Sequence, residues 1–306
     1  MLKRFDYFLP NLKESWVIVL LLVVGGNILG SIPQVALMLT KNVDLKSFVV
    51  FISYILMFIP PFVGILLFAN KVITNNTLYS QNQMLDRVIN PVKFDNGYFG
   101  GNAIIILILI TIATLTSIIV IEPLSSWIPM PDSFKEMFKN MISKDIWSFL
   151  SVVIAAPILE ELVCRGTIAR GLFKHTTVTK AILWSAFIFA VIHFNPWQGI
   201  TAFILGAFLA WIYWRTHSLL TCMYIHALNN GTAFMLTILF PELDELETAK
   251  EFFEALYPGS YNYIYIISAI ILVLSIVLLN KIMPKQTKET FLGNSNAKQN
   301  EINLGY

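Results

Sequence analysis

Apolar residues in this chain gather in long, nearly unbroken runs separated by short polar breaks, with no sustained alternation of apolar and polar positions. The runs are Trp16–Leu39, Ser47–Asn70, Asn102–Ile121, Ile146–Phe173, Thr179–Phe194, Gly199–Trp214, Ser218–Phe240 and Tyr263–Met283. About 20 apolar residues cross a bilayer as one helix, so the pattern predicts an all-α polytopic transmembrane bundle of about eight spans. The fifth and sixth runs are short, as suits helices shielded by their neighbours. Residues 131–145 place Phe134, Met137, Phe138 and Met141 at helical spacing among charges, which predicts an amphipathic interfacial segment. Residues 241–256 are rich in Glu and Asp and read as a solvated acidic loop; the polar chain from Pro284 reads as disordered. The expected organisation is about three spans with their loops in 1–130, the interfacial segment 131–145, and a four-span core over 146–240. The acidic loop and last span follow in 241–283, then a tail over 284–306.

Composition reinforces the membrane reading. The chain is 56% hydrophobic and 13% charged, against roughly 25% charge in soluble domains. A net charge of +2 without a basic stripe excludes a nucleic-acid partner. Membrane lipids and a peptide or membrane-protein substrate remain as partners. Cys164 and Cys222 both lie in apolar runs, so no disulfide framework follows. The first run lacks a small-residue cleavage site and reads as a retained span. Placing the N-terminus inside puts 14 Lys and Arg residues in inner segments and 6 in outer ones, Arg165 being left out as intramembrane. That asymmetry predicts a multi-pass cell-membrane protein with both termini cytoplasmic.

Against this background the fourth run is anomalous. It contains Glu160, Glu161 and Arg165, and an ionisable residue at mid-bilayer costs about 2.5–3.5 kcal/mol on insertion scales, so such residues point to function. Glu161 and Arg165 stand four apart on one helical face and can pair. Glu160 projects about 100° away, free to face a cavity, and Pro157 can open space beside it. Phe189 and His193 follow at the same spacing in the fifth run, and His226 and Asn230 in the seventh. At 1.5 Å per residue, Glu160, His226 and His193 lie about 15, 14 and 20 Å from the cytoplasmic ends of their runs. Alone, each histidine is an ordinary interior residue and the Glu161–Arg165 pair an ordinary structural tie. Four polar groups on three spans at one depth are expensive unless they meet. Meeting on the cytoplasmic side, they can activate water and stabilise an oxyanion.

The ordered set EExxxR, FxxxH and HxxxN resembles the CPBP superfamily: type II CAAX prenyl endopeptidases, abortive-infection proteins and the lysostaphin-resistance-protein-A-like group. The resemblance covers about residues 145–240. It implies an intramembrane endopeptidase in which Glu160 is the general base and His193 helps to polarise the water. His226 and Asn230 then stabilise the oxyanion, while Glu161, Arg165 and Phe189 support them. No cofactor is implied. Two alternatives stand beside this. A zinc metalloprotease would use Glu160, His193 and His226 as ligands, although HExxH is absent. A non-enzymatic scaffold or immunity protein would use the buried charges to bind a partner.

Overall fold

A computed structural model describes residues 2–40, 45–81, 91–134, 143–240 and 248–293, and within them there is no strand. Six helices are long and apolar enough to cross a membrane: α1 (Leu12–Leu39), α2 (Lys46–Leu78), α3 (Gly100–Leu124), α4 (Ile146–His175), α6 (Pro196–Thr216) and α9 (Tyr261–Ile282). The shorter apolar α5 (Val178–Val191) and the 21-residue α7 (Leu219–Leu239) complete eight helical runs at the expected places. The chain is an all-α multi-pass membrane protein.

Helix starts follow the polar breaks. Asn11 and Glu14 form a capping box on α1, and Asp145, Thr177, Asn195 and Ser218 cap α4, α5, α6 and α7 through their side chains. Each cap answers an otherwise orphaned backbone N–H at a helix start. Where α1 meets α2, a Cβ on Gly26 would lie 2.4 Å from the Met57 carbonyl oxygen. Only glycine permits that approach, the usual device for closely packed membrane helices.

Two arginines fasten the end of the bundle that carries both termini. Arg170 is fully buried and donates to the carbonyls of Val92 (2.7 Å), Phe8 (3.2 Å) and Phe5, with Asp6 at 3.6 Å. It thereby pins the 3-10 turn Leu2–Tyr7 and the segment around Val92 to α4. Arg215 donates to Asn280, Met283 and Pro284, closing α6 onto the end of α9. Both were expected as ordinary inner-surface charges; backbone carbonyls satisfy them instead.

The tail departs from expectation through residue 293. After Pro284 the chain forms α10 (Lys288–Phe291), and Phe291 is buried against His217, Trp214 and Phe173 at ring distances of 4.3, 5.0 and 5.2 Å. One aromatic inserted among these rings and that of Tyr213 (5.9 Å) orders a stretch whose composition is polar. Residues 294–306 lie outside the described part. The acidic loop differs too. Residues 248–256 hold the helix α8 (Ala249–Leu256), opened by a Thr248–Glu251 capping box, with Phe252 against Phe240 at 5.1 Å; 241–247 lie outside the described residues. Most of the interfacial segment, 135–142, also lies outside them, while Phe134 meets Trp197 at 5.1 Å.

Candidate active site

Helix α4 carries both glutamates on the α-helical stretch Ala156–Val163, which lies between two π-helical stretches, Leu150–Ala155 and Cys164–Ala169. Such widened turns accompany functional sites, and Pro157, which lacks an N–H, sits directly after the first of them. Glu161 and Arg165 are completely buried and paired at 2.8 Å. The same carboxylate oxygen, Oε1, also accepts from His226 Nδ1 at 3.0 Å. Arg165 donates its second amino group to the Gly206 carbonyl (3.0 Å) and lies 4.3 Å over the Phe189 ring. A side chain at 206 would crowd this arrangement, since a Cβ there would stand 3.3 Å from the Arg165 guanidinium and 3.1 Å from Phe189. Glu161 therefore contacts a motif histidine directly; the i, i+4 spacing disclosed the pair with Arg165 but not the third member.

Phe189 is the hub of the aromatic contacts. Its ring meets His193 at 5.0 Å and His226 at 5.5 Å, both edge to face. His193 Nδ1 binds the Phe189 carbonyl at 2.7 Å. A carbonyl only accepts, so that nitrogen carries the proton and Nε2 presents a lone pair. The turn after His193 is tight: Phe194 has a positive φ of 58°, and Asn195 donates to the His193 carbonyl (2.8 Å) while capping α6. Backbone strain of this kind in a bulky residue is often found beside functional groups.

His193, His226, Asn230 and Phe189 line one cavity of about 450 Å³, together with Gln198, Thr201 and Asn229. It runs from buried Phe189 and His226 to exposed Gln198 and Ala233. Its rim is built from the last turns of α3 and α7 and the first turns of α6, at the end of the bundle remote from the termini. The expectation put the mouth at the end of the bundle that carries the termini; the cavity opens at the opposite end. Asn230 donates to the Val152 carbonyl (3.0 Å) and accepts from Asn229 (3.2 Å), which leaves one amide hydrogen for a ligand.

Glu160 stands apart from that lining. It is 9% exposed, its Oε1 accepts from the Tyr54 hydroxyl at 2.5 Å, and its Oε2 is buried with no partner among the described residues. Its relation to His193 follows from helix register. Cys164 and Phe189 pack together where α4 and α5 run antiparallel. Glu160 and His193 each lie one turn beyond that contact, in the same direction. Among the described residues no group of three or more His, Cys, Asp or Glu side chains could hold a metal ion.

The described chain is an all-α membrane bundle with a buried polar cluster on α4, α5 and α7. Residues 142–232 match the family model described as Rce1-like, type II CAAX prenyl endopeptidase, and this stretch contains every motif residue. This stretch of the chain is thus similar to a family of proteases. No curated protein and no solved structure matches the chain. Tyr54, Gly206 and the rim residue Gln198 were not legible beforehand, because nothing in the residue order links them to the motifs.

Proposed function

We propose that this protein is a glutamate-type intramembrane endopeptidase that hydrolyses a membrane-presented peptide with activated water. The observation that carries the reading is the convergence of His193, at the end of α5, with His226 and Asn230 of α7 on one cavity. In this scheme the free Oε2 of Glu160 takes a proton from a water that also donates to His193 Nε2. The water oxygen bonds to the scissile carbonyl carbon, and the carbonyl oxygen becomes an oxyanion. The remaining amide hydrogen of Asn230 stabilises that charge. The proton then passes from Glu160 to the leaving nitrogen as the C–N bond breaks.

Hydrogen-bond bookkeeping gives His226 a condition. Its Nδ1–H is committed to Glu161, so the neutral ring offers only a lone pair at Nε2. It donates to an oxyanion as the imidazolium, with the Glu161 carboxylate as counter-ion. Metal chemistry forms no part of the reading. Both termini on the cytoplasmic side follow from the distribution of Lys and Arg.

The test is proteolysis of a quenched-fluorescence peptide library by the protein reconstituted in liposomes. Wild type cleaves, with or without EDTA, and Glu160→Gln does not while remaining folded. Full activity in folded Glu160→Gln would refute the mechanism. Loss to EDTA with restoration by zinc would replace it with a metalloprotease, and a wild type that cleaves nothing would favour the scaffold.

A further inference from the structure

Glu160 is held by a residue outside the family-matched segment. Tyr54 lies on α2, and its hydroxyl donates to Glu160 Oε1 at 2.5 Å. Charge-assisted O–H···O⁻ bonds are among the strongest in proteins and have this length. The other oxygen, Oε2, is buried and has no partner among the described residues, so the carboxylate has one arm fixed and one available.

The contact is built in by the packing of α2 on the start of α4. Trp147 meets Phe48 at 4.8 Å and Phe51 at 5.8 Å, and Asp145 bonds to the Ser47 side chain. Tyr54 follows Phe51 on the same face by three residues, and its ring rests on Phe58 at 5.4 Å. Three anchors along one helix face set the height at which the phenol reaches α4.

We infer that Tyr54 is a positioning residue for the general base: it fixes the rotamer of Glu160 so that Oε2 faces the water. This rests on the protease reading above. A carboxylate with two free oxygens at this depth could rotate away, and that would remove the base. The hydrogen bond to Oε1 opposes it.

The experiment compares wild type, Tyr54→Phe and Glu160→Gln in liposomes. It measures peptide cleavage and, at one fixed pH, the infrared carboxylate band of Glu160, identified as the band missing from Glu160→Gln. Tyr54→Phe keeps the ring against Phe58 and loses only the hydroxyl, so it should stay folded with a modest fall in melting temperature. Expected are a fall in kcat of about 10- to 100-fold, KM within threefold, and a shifted Glu160 band. A purely structural tyrosine would move neither kcat nor the band. The inference is overturned if Glu160→Gln is inactive while Tyr54→Phe keeps wild-type kcat and band. If the band shifts but wild-type protein cleaves nothing, the protease reading falls and takes the catalytic role of Tyr54 with it.

Discussion

Breaking the Glu161–Arg165 pair should reveal an asymmetry that the shared contact with His226 imposes. Both side chains are 0% exposed, and one oxygen of Glu161 serves Arg165 and His226 together. Removing one partner of a buried pair costs about 3–5 kcal/mol because it strands the other charge. At about 2–3 °C per kcal/mol for a chain of this size, Glu161→Ala should melt about 6–15 °C lower than wild type in detergent. It leaves the Arg165 cation with the Gly206 carbonyl and the Phe189 ring only, and a guanidinium does not shed its proton. Arg165→Met should lose less, because His226 Nδ1 still donates to the Glu161 carboxylate. The double variant Glu161→Leu/Arg165→Met removes both charges and should recover most of the stability, since apolar replacement of a buried pair is often neutral. It should remain inactive, because His226 has lost its anchor. Thermal unfolding of the four proteins, with cleavage measured on each, makes the check. Additive losses in the double variant, or an Arg165→Met that melts below Glu161→Ala, would refute the reasoning.

Further tests address the frame around the site. Burial pushes the Asp145 carboxyl up, but hydrogen bonds from the Ser47 side chain and from Ser148 and Trp147 outweigh it and hold the group below its ordinary value. A lowered folded value means that the stabilisation is present above the unfolded value and lost as pH falls through the folded one. Asp145→Ala should cost about 1 kcal/mol at neutral pH as a lost helix cap and lose less than wild type on acidification below about pH 4, seen by melting against pH. Phe291→Ala should cost about 3–5 kcal/mol and free the segment after Pro284 to limited proteolysis; unchanged cleavage kinetics would contradict its anchoring role. With the termini inside, Gln198→Cys should react with a membrane-impermeant maleimide from outside and Lys285→Cys only after permeabilisation. The native cysteines are buried and give little background. Labelling of both from the same face would overturn the placement of the cavity mouth.

Runs of apolar residues alone determined the all-helical membrane class and the positions of the eight helical runs, because lipid leaves a backbone no other way to satisfy its hydrogen bonds. The three spaced motifs likewise disclosed His193, His226 and Asn230, since polar groups at that depth need a reason. Spacing within one helix fixed the Glu161–Arg165 pair. What it could not fix was every contact between helices. That His226 leans on Glu161, that Tyr54 reaches Glu160 across 106 positions of chain, and that Phe291 orders a polar tail all depend on which faces meet. So does the cavity mouth, which lies at the end away from the termini because α3, α6 and α7 part there. Periodicity reports which face of a helix is polar; the partner of that face is chosen only when the helices pack.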